Sequence, residues 1–188
     1  MNLLPSSLYT FAKLWSVLKL FLIPIGGGIP SGVLMARDQG FVWQVTLILY
    51  LISDVILACI FEPILLIFIS LSKRSVRLQK VGEVFKKVMK QTSSRYGTTG
   101  GAFTIIMIAF GADPMTGRSV AVAAGHGFIK GWIFAITGDM LYFGVLMIST
   151  LWLDGILGNG TSTTIIILIA MMVVPGLVNR WRKKTQQG

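Results

Sequence analysis

Long apolar segments with very few charged residues are the feature that most restricts how this chain can fold. Residues 41–71 form one such segment, which contains Asp54. Residues 132–153 form a second, which contains Asp139, and residues 163–178 form a third. A helix needs about 20 apolar residues to cross the hydrocarbon core of a bilayer. The sequence therefore predicts an all-α integral membrane protein with about three full transmembrane helices.

Composition favours the same class. Of the 188 residues, 54% are hydrophobic and 13% are charged, whereas about one-quarter of the residues are charged in a typical soluble domain. The chain is long enough for one compact unit, so we predict a single membrane domain over residues 1–188. Its predicted parts are repeat one at about 14–72, a basic linker at 73–98, repeat two at about 99–153, and a C-terminal helix at 163–179 with a basic tail at 180–188.

Basic residues indicate the orientation in the membrane. Twelve of the 17 Lys and Arg residues lie within residues 73–95 or in the tail 180–188. By the positive-inside rule both regions are cytoplasmic, which places residues 154–162 outside. All three spans agree with this topology, and we expect a multi-pass protein of a bacterial inner membrane. Arg37 and Asp38 are expected to form a surface pair near the membrane boundary.

The basic linker has a pattern of its own. Its apolar residues recur at helical spacing with lysines between them, which predicts an amphipathic helix on the inner surface, held by anionic headgroups. A nucleic-acid partner is not expected, because topology already accounts for the positive charge.

An internal repeat appears when the sequence is shifted by 85 positions. The shift aligns Ser31-Gly32 with Thr116-Gly117, Gly40 with Gly125, and Ser53-Asp54 with Gly138-Asp139. The predicted topology makes the two copies run in opposite directions. Inverted repeats with broken helices are a recurrent plan in transporters, with the substrate site near the midplane. A chance alignment of small residues is the alternative.

Two short stretches rich in glycine and proline break the apolar pattern. They are "PIGGGIPSG" at residues 24–32 and "FGADPMTGR" at residues 110–118. Irregular backbone at membrane depth is tolerated only inside protein or against water, so we predict re-entrant hairpins at about 14–40 and 100–128. Ordinary spans joined by surface turns are the alternative. The helix-break residues are Gly28, Pro30, Ser31, Gly32, Pro114, Thr116 and Gly117.

The motifs "GIPSG", "SRYGTTGGAF" and "DPMTGRSVAVAAGHG" resemble those of DedA-like (VTT superfamily) membrane proteins, and the small multidrug export branch most closely. The resemblance covers about residues 20–150. Two departures are Pro114, which stands two residues before Thr116 rather than three, and the lack of a Glu-x-Arg pair before the first proline. The resemblance implies opposed re-entrant hairpins and movement of phospholipids or polyprenyl phosphates across the bilayer.

Ionisable residues within the apolar segments are the candidate functional groups, because a charge buried in a membrane is costly. Asp54 and Asp139 are the strongest candidates. A carboxyl group in a low-dielectric site could take up and release a proton near neutral pH, so we predict that the two exchange protons. The alternative for each is a structural carboxylate bonded to a neighbouring amide.

Further candidates lie near the second break and within the first span. Arg118 could hold a phosphate or carboxylate with its two-pronged guanidinium, or it could form a salt bridge to Asp113. Glu62 could pair with Lys130 or His126. Histidine titrates near neutral pH, although a single histidine is more often a packing residue.

These observations predict a small transporter or flippase that couples protons to the movement of an anionic lipid or small amphipathic solute. Its expected partners are membrane lipids and protons, and a homo-oligomer is left open. The alternative is a non-transporting scaffold or anchor subunit of a larger complex. One histidine, one cysteine and the lack of a phosphate loop or GxSxG motif predict no enzyme, cofactor or metal site.

The predicted topology is testable by cysteine labelling. After replacement of Cys59, single cysteines at positions 75 and 161 report on the basic linker and on the predicted outside turn. We expect a membrane-impermeant maleimide to label Thr161→Cys in intact cells and Ser75→Cys only after permeabilisation. Equal labelling of both positions from outside would contradict the topology.

Overall fold

The computed structural model describes residues 6–23, 28–74 and 101–185. Over these ranges the chain is all-helical, as predicted, with seven helices and no strand. The helices are α1 (Ser6–Leu22), α2 (Gly28–Asp38), α3 (Trp43–Arg74), α4 (Ala102–Gly111), α5 (Pro114–Ala123), α6 (Phe128–Leu157) and α7 (Gly160–Thr185). The amphipathic helix predicted for the basic linker lies outside the described residues.

The chain forms two compact units. The first unit contains Met1–Leu49 and Val145–Gly188, and the second contains Tyr50–Gly144. Each unit has one packed pair of short helices, which is α1 with α2 in the first and α4 with α5 in the second. In the first unit α2 also packs on α7.

Two of the described helices are long and apolar enough to cross a membrane. They are Trp43–Ile67 within α3 and Phe128–Leu157, which is all of α6. This supports membrane association and agrees with two of the three predicted spans. The third predicted span falls in α7, where the described apolar stretch, Gly160–Met171, is shorter than a bilayer crossing.

Both long helices bury their acidic residues and expose many large apolar residues. On α3, Ser53, Asp54 and Glu62 are buried, whereas large residues on the other faces of the helix are exposed. The exposed residues include Ile48, Ile52, Val55, Ile60, Ile64 and Ile67 on α3, and Ile129, Ile133, Leu141, Val145, Ile148 and Ile156 on α6. A helix in water shows the opposite arrangement, so these outer faces suit lipid.

Glycine ends the short helices α2 and α5 in the same way. Gly40 and Gly125 both have positive φ, 81° and 83°, which glycine adopts without steric cost. In each turn the glycine N–H bonds to the carbonyl three residues back, and the next N–H bonds to the carbonyl five residues back, all at 2.9 Å. This is the Schellman pattern. The two turns are separated by the 85 residues of the predicted repeat, as are the starts of α3 and α6.

The short helices are too short to cross a bilayer on their own. At 1.5 Å per residue, the ten-residue α4 and α5 are each about 15 Å long, and α2 is about 17 Å long. The hydrocarbon core is about 30 Å thick. The predicted re-entrant and inverted arrangements concern how these pairs enter the membrane, and they stay predictions.

Small residues let three helices of the second unit approach closely. A Cβ atom built on Gly117 of α5 would lie 2.7 Å from the Cβ of Ala109 on α4, and one on Gly138 of α6 would lie 2.7 Å from the same atom. Ala109 and Ala135 are fully buried at this contact. Close approach through small residues is a common way for membrane helices to pack.

Gly138 and Gly144 provide a matched test of this packing, because both lie on α6. No atom outside the helix's own neighbours lies within 4 Å of a Cβ built on Gly144. We expect Gly138→Ala to destabilise the protein by about 1–3 kcal/mol through overpacking. Gly144→Ala should leave stability unchanged or raise it by up to about 1 kcal/mol, because alanine favours the helix. Thermal unfolding in detergent measures both, and equal unfolding temperatures for the two variants would contradict the packing.

Candidate functional site

The two predicted aspartates meet inside the second unit. Asp54 of α3 and Asp139 of α6 are 2% and 4% exposed, and their carboxyl groups are within hydrogen-bonding reach of each other. The Oδ2 atom of Asp54 is buried and has no hydrogen-bond partner among the described residues. The pair is therefore almost fully buried, and one of its acceptor atoms has no donor among the described residues.

Tyr50 and Phe143 hold this carboxyl pair in place. The Tyr50 hydroxyl donates a hydrogen bond of 2.8 Å to Oδ2 of Asp139, and the Tyr50 ring stacks on Phe143 with ring centroids 3.9 Å apart. Tyr50 lies four residues before Asp54, and Phe143 lies four residues after Asp139. Residues four apart share a helix face, so each long helix presents one aromatic residue and one carboxyl group to the other.

Two carboxylates in contact repel each other, and the repulsion is strongest where water is excluded. One proton placed between the two groups removes the repulsion and makes a hydrogen bond. The Asp54–Asp139 pair is therefore suited to bind a proton and to change its net charge when the proton leaves.

A second buried polar cluster joins α3, α5 and α6 in the same unit. Arg118 donates from Nε to Oε2 of Glu62 at 2.9 Å and from Nη2 to Oε1 at 2.6 Å. The Nε1 of Trp132 donates to the same Oε2 at 2.8 Å. The Arg118 and Glu62 side chains are 3% and 9% exposed. The arrangement is a two-pronged guanidinium–carboxylate pair with a third donor on the carboxylate.

The structure pairs these charges differently from both sequence-based alternatives. Glu62 pairs with Arg118, not with Lys130 or His126, and Arg118 pairs with Glu62, not with Asp113. The guanidinium fork that could hold a phosphate is filled by Glu62. Arg118 could therefore bind an anion with this fork only after its pair with Glu62 opens.

Asp113 has a structural role at the start of α5. Its Oδ1 accepts from the Thr116 N–H at 2.8 Å and its Oδ2 from the Thr116 hydroxyl at 2.6 Å. Pro114 follows at the first helical position, where its missing N–H costs nothing. The sequence "DPMT" is thus a helix start, and Asp113 caps it.

The predicted helix-break residues lie at or just after the starts of short helices. Gly28, Pro30, Ser31 and Gly32 belong to the first turns of α2, and Pro114, Thr116 and Gly117 to those of α5. Residues 24–27, which precede α2, lie outside the described ranges. A Cβ on Gly32 would lie 2.8 Å from Cδ1 of Phe21 on α1, so this glycine brings α1 and α2 together.

His126 follows the glycine turn after α5. Its ring meets that of Phe134 edge to face, with centroids 5.6 Å apart, and its backbone carbonyl accepts from Nη1 of Arg118 at 3.4 Å. The geometry places His126 beside the Glu62–Arg118 pair through its backbone.

The first unit contains a polar cluster that the sequence did not predict. The Arg37 guanidinium of α2 binds Oδ2 of Asp154 near the end of α6, so Asp154 takes the position expected for Asp38. The other carboxylate oxygen of Asp154 accepts from the Thr163 hydroxyl of α7 at 3.2 Å. Asp154 thus links three helices of this unit.

Sequence reasoning missed Tyr50, Trp132 and Asp154. Tyr50 was recoverable, because it lies one helical turn from Asp54 and therefore on the same face. Trp132 and Asp154 bind partners 70 and 117 residues away in the chain, and no local pattern marks such pairs.

Comparison with protein-family models, with curated proteins and with solved structures finds no match for this chain.

The buried pair of Glu62 and Arg118 can be tested by breaking it from one side. We expect Glu62→Gln to destabilise the protein by about 3–5 kcal/mol, because it leaves the Arg118 charge buried without a counter-charge. The double variant Glu62→Gln with Arg118→Met removes both charges and should recover part of this loss. The measurement is thermal unfolding in detergent. Wild-type stability of Glu62→Gln, or a double variant that loses the sum of both single losses, would contradict the pairing.

Proposed function

We propose that this chain is a small integral membrane transporter that couples protons to the movement of an anionic lipid or small amphipathic solute. The observation that carries the proposal is the contact between Asp54 and Asp139, with Tyr50 bound to one of them. Both acids lie on helices long enough to cross a bilayer.

The energy of burying two acids supports this function. A carboxyl group on a membrane-crossing helix is costly unless it is paired or neutralised. Two such groups in contact add repulsion, whereas a hydrophobic pair at these positions would avoid both costs. A purely structural contact between α3 and α6 has no need of two acids, so their meeting favours a role in which a proton arrives and leaves.

The positions of the two acids in the chain also support this function. Each follows a short helix, a glycine turn of the same Schellman type and the start of a long helix, at a spacing of 85 residues. A transporter built from inverted repeats places equivalent residues of its two halves at one central site. The matched aspartates fit that plan.

The remaining features of the proposal rest on the sequence. The basic linker and tail favour a cytoplasmic location for both, in a bacterial inner membrane. The resemblance to DedA-like proteins favours a phospholipid or polyprenyl phosphate as the transported molecule and re-entrant insertion of the short helix pairs. Lengths of about 15 Å for α4 and α5 agree with helices that enter the bilayer without crossing it.

A coupled mechanism would use the proton on the carboxyl pair as its switch. With one proton shared between them, the Asp54–Asp139 pair carries a single negative charge and stays closed through a hydrogen bond. Loss of the proton leaves two negative charges in contact, which favours separation of the two groups or entry of water. A ligand or proton that binds one arrangement better than the other shifts the population between them. Tyr50 would keep Asp139 oriented while Asp54, with its free Oδ2, exchanges the proton.

A non-transporting scaffold is the second candidate. Two observations favour it: Arg37 and Arg118 both form ion pairs within their own units, and α3 and α6 have extensive exposed apolar faces that a partner subunit could cover. A scaffold would have no dependence on a pH gradient, which separates the two candidates.

The test uses proteoliposomes that contain a fluorescently labelled phosphatidylglycerol, with dithionite reduction to follow its movement between leaflets. We expect the wild type to move the lipid at a rate that depends on an imposed pH gradient. Asp54→Asn and Asp139→Asn keep the shape of the side chain but hold no exchangeable carboxyl proton, so both should lose that dependence.

Asp38→Asn is the matched control, because Asp38 is an exposed carboxylate at the end of α2. Its pH dependence should equal that of the wild type. If both Asn variants at the buried pair keep the wild-type pH dependence, Asp54 and Asp139 have only a structural role. Lack of any lipid movement or pH dependence in the wild type would favour the scaffold.

A further inference from the structure

A pocket in the first unit has features that the carboxyl pair does not explain. Its volume is about 350 Å³, within the range of small-molecule sites, about 300–1,000 Å³. Its walls come from α2, the start of α3, the turn between them and the last turns of α6. They include the apolar side chains of Val33, Met147 and Leu151, the aromatic rings of Phe41 and Trp43, and Arg37.

Arg37 is the charged group of this pocket. Its side chain is 51% exposed, in contrast to the buried Arg118. Within the described parts of the chain, the acceptor that contacts it is Asp154. A guanidinium carries five N–H donors, so one carboxylate contact leaves donors for a second acceptor.

Asp154 fixes the position of that guanidinium. The Asp154 side chain is 12% exposed and is itself held by the Thr163 hydroxyl. A guanidinium anchored in this way loses little freedom when it binds a second anion, which lowers the entropic cost of binding.

Tryptophans mark the level of the pocket along the helices. Trp43 at the start of α3 is 57% exposed, and Trp152 near the end of α6 is 69% exposed. Exposed tryptophans collect where a membrane meets water, at the level of the lipid headgroups. From this we expect Arg37 to lie at the level of the lipid phosphates and the apolar wall at the level where the acyl chains begin.

We propose that this pocket binds a phospholipid, with its phosphate on Arg37 and part of an acyl chain against Val33, Met147 and Leu151. Guanidinium groups bind phosphate through paired charge-assisted hydrogen bonds, and the apolar wall rewards a chain that free phosphate lacks. The inference uses none of the residues of the carboxyl pair. It requires membrane insertion but not transport.

The test uses the full-length chain in an uncharged maltoside detergent and follows quenching of tryptophan fluorescence by phosphatidylglycerol with brominated acyl chains. The contribution of Trp43, which lines the pocket, is the difference in fluorescence quenching between the wild type and Trp43→Phe. Brominated diacylglycerol, which lacks the phosphate, is the reference lipid. We expect saturable quenching of Trp43 by phosphatidylglycerol at a concentration about tenfold lower than that of diacylglycerol, which corresponds to about 1.4 kcal/mol.

Two variants locate the binding. Arg37→Gln should abolish the preference for phosphatidylglycerol. Because that change leaves Asp154 without its partner, Leu151→Phe provides an independent check, since it fills the pocket with the Arg37–Asp154 pair intact. It should also abolish saturable quenching. Ile148→Phe adds the same ring at an exposed position of α6 outside the pocket and should bind as the wild type does.

Three results would overturn the proposal. One is equal quenching by the two lipids in the wild type. Another is an unchanged preference for phosphatidylglycerol in either Arg37→Gln or Leu151→Phe. The last is full displacement of the lipid by millimolar inorganic phosphate, which would show that the pocket binds the phosphate group without the chain.

Discussion

A polar group on a helix that faces lipid has no water to solvate it, and this constraint governs the arrangement of the second unit. The buried acidic residues described in this unit have their partners inside it. Glu62 binds Arg118 and Trp132, and Asp54 meets Asp139. The buried faces of α3 and α6 therefore contain the acidic residues, and the outer faces are largely apolar. The two clusters differ in how their charge is balanced. This difference separates a structural role from a chemical one.

In the Glu62–Arg118 cluster, the guanidinium balances the charge of the carboxylate through two hydrogen bonds, and the Trp132 indole donates a third. It has no net charge to exchange, so it is suited to fix α5 against α3 and α6. Gly131 contributes by leaving room for the guanidinium, since a Cβ there would lie 2.5 Å from Nη1 of Arg118. The Asp54–Asp139 cluster has no cation among its described contacts. Only protons or an incoming cation can reduce its negative charge, so its charge can vary where that of the other cluster cannot.

Local features of the fold were predictable from the sequence, because they depend on neighbours in the chain. The apolar lengths of residues 41–71 and 132–153 predicted the two long helices. The repeat aligned the glycines at 40 and 125, and the structure shows that both form the turns before these helices. The shift of 85 residues placed Asp54 and Asp139 at equivalent positions on these two helices. Their direct contact is a tertiary fact that the repeat made reasonable but did not determine.

Long-range pairing was beyond the sequence for a physical reason. Several cations were available to each acid, and the choice depends on how helices pack. Asp113 lies only five residues before Arg118, but its carboxylate already caps the start of α5. Glu62, on the neighbouring helix α3, is the carboxylate within reach of the Arg118 guanidinium. Arg37 had Asp38 beside it, but adjacent residues on a helix point in different directions. Asp154, 117 residues away, was in reach.

The shortness of α4 and α5 has a consequence for biosynthesis. A segment of ten residues is too short to be recognised as a membrane span when it leaves the ribosome. The surface on which it packs includes Ala135 and Gly138, which belong to α6 and are synthesised later. The α4–α5 pair must therefore wait for α6 before it reaches its final contacts. The packing of the α4–α5 pair in the folded protein is therefore completed only after residue 138 has been synthesised.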